Sequence, residues 1–186
     1  PAIDWRSHRL DPHPAPTVNV TRETGLYLKR CAALGRELTI EVESKFYRGS
    51  TANTVAELGG TLSPEAHIVV GGHHDTVWGS PGGNDNGSGV VVVLETARVL
   101  ARLAADQGIS PGCSIRFVTF SAEEQLLQGS TAYVQQHHGP EPLPLLMINL
   151  DELSTGNMKG VVLQFPHLRG LVQGQLDKFF RTRNRA

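Results

Sequence analysis

The stretch GGHHDTVWGSPGGNDNGSG, residues 71–89, sets His73, Asp75 and Asp85 among glycines. Further along, SAEEQ supplies Glu123 and Glu124, and INLDEL supplies Asp151. One imidazole among several carboxylates, with no activated serine or cysteine beside it, suits a divalent cation of the zinc class. Carboxylates crowded into one crevice repel each other, so Asp85, Glu124 and Asp151 need a cation to stay ionised together. A phosphate cradle fits less well. The stretch has no GxxxxGK[ST] lysine and no GxGxxG between strand and helix, and its carboxylates repel phosphate.

Taken singly, each residue has an ordinary reading. His73 reads as a surface or core histidine, and Asp75 as a turn residue. Asp85 and Asn86 make good turn and capping chemistry. Glu123 and Glu124 suit the first turn of a helix, where the macrodipole favours acids, and Asp151 suits a cap. Convergence is what raises them above this, and convergence depends on the elements that carry them.

HIVVGG is a short apolar run that predicts a buried strand, with His73, His74 and Asp75 directly after it. CSIRFVTFS predicts a second buried strand running into Glu123 and Glu124, and LLMINL a third running into Asp151 and Glu152. Between the first two, Val90, Val93, Leu94, Ala97, Leu100, Ala101 and Ala104 keep helical spacing, so a helix is expected from Asn86–Ser88 onward. EEQLLQGSTAYVQQHH predicts a helix broken near Gly129, with His137 and His138 idle at its end. GVVLQF and HLRGLVQGQLDKFFRTR predict a late strand and helix. Alternating strands and helices give an α/β chain, three layers (α/β/α) around a mostly parallel, mixed sheet. Ligands in such sheets bind beyond the carboxyl ends of the strands, and three strand ends deliver acid to that edge.

The amino-terminal part differs. Residues 1–16 hold four prolines and read as irregular. TVNV predicts a short strand. Thr21 predicts the cap of a helix over RETGLYLKRCAALG, ended by Gly35. ELTIEVESKFY alternates at period two, as a half-buried antiparallel strand does, and TANTVAELGG predicts another strand ending in a turn. No internal repeat is visible.

Composition narrows the partners. Across 186 residues, 17 Lys+Arg balance 18 Asp+Glu, which leaves no electrostatic footprint for nucleic acid. No apolar run approaches the ~20 residues of a membrane span, and no secretory signal is present. The chain opens on Pro1, as a trimmed product would. Cys31 and Cys113 have neither disulfide-framework nor zinc-ligand spacing and read as buried free thiols.

HHDTV, GGNDNGSG, SAEEQLLQGS and INLDEL together resemble, in order and spacing, the co-catalytic zinc aminopeptidases of the bacterial leucyl-aminopeptidase and glutamate-carboxypeptidase type. The resemblance covers roughly residues 51–155. TVNVTRETGLYLKRCAALGRELTIEVES further resembles the end of a protease-associated insert, so residues 1–48 are expected to be its remnant and residues 49–186 a zinc-peptidase core, incomplete at the C-terminus.

The resemblance implies a metallopeptidase, a hydrolase acting in proteolysis with two zinc ions per site. By it, His73 and Asp151 would bind the first zinc, Asp85 would bridge both, and Glu124 would bind the second. Asp75 would lie behind His73 and orient its imidazole, and Glu123 would be the general base toward a zinc-activated water. His74 occupies a variable position and is given no role. A cis peptide is implied between Asp85 and Asn86. The expected substrate is the N-terminal residue of a peptide. Carboxypeptidase action of the same family and a catalytically inactive metal-binding or interaction module are the alternatives. Members with a protease-associated insert are generally exported, so an extracytoplasmic or secreted location is expected.

Two departures matter. The family's second zinc takes a late histidine, whereas His167 is the only histidine after Asp151, and QFPHLRG does not resemble the closing motif. The expectation is therefore a fragment of a longer hydrolase that binds one zinc tightly and a second weakly or not at all, with a missing segment or a partner chain completing the site. The other departure is Leu126, where family members have glycine.

Overall fold

A computed structural model of the chain describes residues 18–41, 49–154 and 166–183. They fall into two compact units, divided between Ser154 and Thr155. The first begins with helix α1, Arg22–Ala33, capped by the Thr21 side chain, which accepts from the Thr24 N–H at 3.2 Å. Gly35 follows with φ 68°, the left-handed stop the sequence predicts. No residue of α1 is buried. The strands expected from TVNV and ELTIEVESKFY do not form in their described parts. Residues 18–20 and 37–41 belong to no strand, and 38–41 are exposed. Alternation alone cannot make a strand without an apolar face to bury; residues 42–48 lie outside the description.

The sheet has four strands, β1 (Thr54–Leu58), β2 (Ser63–His73), β3 (Cys113–Phe120) and β4 (Leu146–Asn149), in the order β1-β3-β2-β4. β2 runs parallel to both β3 and β4, while β1 is antiparallel to β3. Alternation splits the apolar side chains between two faces. On one face Val69, Val118 and Phe120 pack with Tyr133 of helix α3 (Gln128–His137), the Phe120 and Tyr133 rings meeting edge to face at 5.7 Å. On the other, Val70 and Phe117 pack with Val93 of helix α2 (Gly89–Gln107), flanked by Ala97 and Leu100. The predicted α2 spacing is the contact stripe in part only, since Leu94 is exposed. Each fully buried side chain of this size contributes about 1.5–3 kcal/mol, so the sheet is held from both sides.

Between β3 and α3 the sequence expectation fails. The helix begins at Gln128, not Glu123. Residues 121–127 form a tight turn in which Leu127, Gln128 and Gly129 donate backbone hydrogen bonds to Glu123, Ala122 and Ser121. Ala122, Leu126 and Leu127 have φ of 51°, 64° and 56°. Such residues are unfavourable in the left-handed region, and helical periodicity in EEQLLQGS hides them. Gly129 is unbroken helix, and its place is fixed by closeness: a Cβ there would stand 2.1 Å from the Ser121 carbonyl oxygen. His137 is not idle either, because its Nδ1 lies 2.7 Å from Glu141 Oε1, and Glu141 also binds Arg116. Cys31 and Cys113 are free, as expected, but only half-buried.

In the second unit a single helical turn, Pro166–Leu168, leads into helix α4, Arg169–Arg183. His167 lies in that turn, and the strand predicted over GVVLQF falls outside the described residues. No described helix is long and apolar enough to cross a membrane.

The Leu126 backbone can be tested. Leu126→Ala and Leu126→Gly lose the same branched side chain, but only glycine is at ease at φ 64°. Leu126→Gly is expected to be about 1 kcal/mol more stable than Leu126→Ala in urea unfolding. Equal midpoints would argue against the left-handed turn.

Candidate metal centre

β2 ends at His73, paired with Phe120, the last residue of β3, while Gly71 pairs with Asn149, the last of β4. The segments that follow therefore leave one edge together. His73 is the floor of the site, with its side chain 3 % exposed. Its Nδ1 lies 3.0 Å from the Asp75 carbonyl oxygen. A carbonyl only accepts, so Nδ1 carries a hydrogen, and Nε2 is the nitrogen that faces the site, a ligand once it gives up its proton. Nε2 lies 3.0 Å from Asp85 Oδ1, 3.5 Å from Asp151 Oδ1 and 3.9 Å from Glu123 Oε2.

These distances suit a small divalent ion. One donor atom from each of His73, Asp85 and Asp151 lies within 4.8 Å of the other two. Donors around a tetrahedral ion bound at about 2.0–2.1 Å stand about 3.3 Å apart, and the 3.0 and 3.5 Å contacts of Nε2 bracket that spacing. Glu124 lies outside this triad. It is buried, and its Oε1 has no hydrogen-bond partner among the described residues. A buried carboxylate oxygen left unpaired is expensive unless a cation reaches it.

The electrostatics agree. Burial disfavours a charged His73, but Asp151, Glu123, the Asp75 carbonyl and Asp85 outweigh it and raise the imidazole pKa. Burial raises the Glu123 carboxyl, His73 opposes this, and Asp151, Asp75 and Asp85 add to it. Glu124 is raised by burial, then by Asp85 and Glu123. Without a cation, the site gathers protons.

Asp75 lies beside both His73 and the turn that follows β3. Its carboxylate is 3.6 Å from His73 Nδ1, beyond a hydrogen bond. The two oxygens instead accept the backbone N–H of Glu123 at 2.9 Å and of Glu124 at 3.2 Å. The hydrogen-bond acceptor for His73 Nδ1 is the Asp75 backbone carbonyl. His74, given no role, is exposed.

Asp85 sits in a wide turn, Gly83–Ser88, and its peptide bond to Asn86 is cis. Here sequence reasoning missed the residues that align Asp85 with Asp151. Asn86 is 1 % exposed; its Nδ2 donates to the Leu150 carbonyl at 2.8 Å and its Oδ1 accepts from the Gly89 N–H at 2.9 Å. It was legible as a cap for α2, but not as the tie to the residue before Asp151. Ser88 Oγ donates to the Asn84 carbonyl and accepts the Leu153 N–H, while Asn84 Oδ1 accepts from Ser154 and Asn84 Nδ2 donates to Glu152. Three polar side chains of the turn, Asn84, Asn86 and Ser88, thus stitch it to the loop after β4.

Comparison with known proteins follows the same residues. The sequence pattern of peptidase family M28 matches residues 53–186. Leucine aminopeptidase 2 of Arthroderma otae is 33 % identical over 150 residues, 80 % of this chain and 29 % of that protein. An aminopeptidase of Pseudomonas aeruginosa is 30 % identical over 178 residues, 90 % of this chain and 32 % of that protein. Carboxypeptidase Q of Xenopus laevis is 29 % identical over 140 residues, covering 74 % of this chain and 29 % of that one. The chain thus spans about three tenths of the length of these relatives. Because the family match runs unbroken from Asn53 through the sheet and all six candidate residues, this chain belongs to peptidase family M28.

Proposed function

We propose that the chain is the metal-binding part of an exopeptidase, with His73, Asp85 and Asp151 holding a zinc ion and Glu123 acting as general base. The observation that carries this reading is the set of three donors within 4.8 Å of one another, with Glu123 Oε2 3.9 Å from the imidazole nitrogen they share. A zinc ion there supplies a Lewis acid that polarises a carbonyl and acidifies water. The chain's own residues do the rest. The Asp75 carbonyl fixes the His73 tautomer, so that Nε2 remains a ligand. Glu123 is half-buried, with its Oε2 3.9 Å from His73 Nε2, beside the place the ion would take. It is placed to take a proton from water and pass it to the leaving amine. Glu124, buried with an unpaired oxygen, would be a donor to a second ion, and Asp85 would be the ligand shared by both.

An aminopeptidase is the preferred assignment, since two of the relatives described above carry that name; the third is named a carboxypeptidase. Aminoacyl-anilides against N-blocked dipeptides separate the two actions. Zinc bound without turnover of either substrate would favour a metal-binding or interaction module.

Glu123→Gln is expected to lower hydrolysis by about 10²–10⁴-fold while zinc content by atomic absorption stays at the wild-type level. Loss of zinc in that variant would mean that base and ligand are assigned the wrong way round. His73→Ala is expected to lose the ion.

The site also predicts a pH dependence. His73, Glu123 and Glu124 have raised pKa values in the folded metal-free chain, so the folded state holds more protons than the unfolded one. Stability then falls as pH rises from the ordinary carboxylate range through the raised His73 value. Glu95 and Glu141, held low by Arg98 and Arg116, exert their effect below that range. Thermal unfolding between about pH 5 and 8 should show the metal-free Tm decreasing with pH and the zinc-loaded Tm increasing, because the ion takes the place of the protons. A metal-free Tm that climbs over this interval would contradict the assigned shifts.

A further inference from the structure

We infer that Asp75 is a positioning residue for the turn that carries Glu123 and Glu124, its carboxylate clamping the backbone N–H groups of both. The role of Glu123 it serves rests on the function proposed above. The geometry itself does not.

The turn 121–127 gives the N–H groups of Glu123 and Glu124 no acceptor of its own. Its internal bonds consume the N–H groups of Leu127, Gln128 and Gly129. The N–H groups of Glu123 and Glu124 go instead to the two oxygens of Asp75, at 2.9 and 3.2 Å. An ionised aspartate accepts at both oxygens and donates at neither, so one side chain matches two adjacent donors. His74 N donates to the Phe120 carbonyl at 2.8 Å, which continues the β2–β3 ladder and sets Asp75 beside the turn. With Ala122, Leu126 and Leu127 all left-handed, the turn is not a conformation its residues favour alone. On the imidazole side, Nδ1 is 3.0 Å from the Asp75 carbonyl but 3.6 Å from the carboxylate. Side-chain replacement therefore leaves the imidazole partner in place and removes the clamp.

The conservative variants follow from this. Asp75→Asn keeps the shape but turns an NH₂ group toward one of the two N–H donors. Asp75→Glu keeps the charge but moves both oxygens by one methylene. In the metal-free full chain, hydrogen exchange of the Glu123 and Glu124 amides is expected to accelerate about tenfold or more in either variant, as loss of a hydrogen bond to a charged group implies. Exchange at Val118 and Phe120, and the ¹⁵N signal of His73 Nδ1, should stay as in the wild type. If the wild type hydrolyses peptides, kcat should fall in both variants with KM and zinc content unchanged. Wild-type exchange rates at Glu123 and Glu124, or a displaced His73 Nδ1 signal with those amides unmoved, would overturn the inference. A wild type that hydrolyses nothing would remove the proposed function and still leave the exchange measurement to decide on the clamp. Should Asp75→Asn fail to fold, Asp75→Glu alone gives the same decision.

Discussion

Parallel pairing of β2 with β3 on one side and β4 on the other is the constraint on which the site depends. Parallel strands in register finish at the same edge, and here His73, Phe120 and Asn149 close their strands within two ladder steps of one another. Whatever follows them must turn in the same region. The antiparallel neighbour serves the same edge from its other end. β1 begins opposite Thr119, so Asn53, just ahead of it, reaches the Ser121 N–H with Oδ1 and the Gly129 carbonyl with Nδ2. The turn bearing Glu123 is therefore gripped from both sides, by Asn53 of the strand outside it and by Asp75 of the strand inside.

That convergence sets an electrostatic problem. Asp85, Asp151 and Glu123 retain 46, 40 and 32 % side-chain exposure, whereas His73 and Glu124 are buried. The exposed acids keep part of their hydration, and the buried imidazole beneath them becomes the place where positive charge is most stabilised. A proton on Nε2 answers that potential with one charge, and a divalent ion answers it with two. The same arrangement that raises the His73 pKa is thus the arrangement that favours a cation on the same nitrogen.

Much of this was readable in the residues, and the failures have physical causes. The apolar runs before His73, Glu123 and Asp151 are strands, because β-rich apolar segments flanked by turn residues have few other uses. β4, at the sheet's edge, is not the buried strand expected, since it leaves Met147 and Ile148 exposed. The α2 stripe was readable because Val93, Ala97 and Leu100 repeat at the helical period. EEQLLQGS misled because its composition suits a helix while two left-handed residues, Leu126 and Leu127, forbid one until Gln128. ELTIEV misled in the opposite sense, having strand alternation without a face to bury in its described part. Asn84, Asn86 and Ser88 act through side-chain bonds to loop residues over 60 positions away, and such bonds leave no periodic trace.

The glycines of GGNDNGSG belong to the same logic. A Cβ on Gly89 would lie 2.2 Å from the Leu150 carbonyl oxygen and 2.4 Å from Asn86 Oδ1. Bare backbone there lets the start of α2 come down onto the end of β4, close enough for one buried asparagine to bond both. Leu150 immediately precedes Asp151, and Asn86 immediately follows Asp85, so the contact fixes the spacing of the two aspartates through single covalent steps on either side. A phosphate loop spends its glycines to expose N–H groups to a ligand; here the Gly89 N–H is already taken by Asn86. The glycine in this position serves the approach of protein to protein, and the anionic groups it brings together call for a ligand of positive charge.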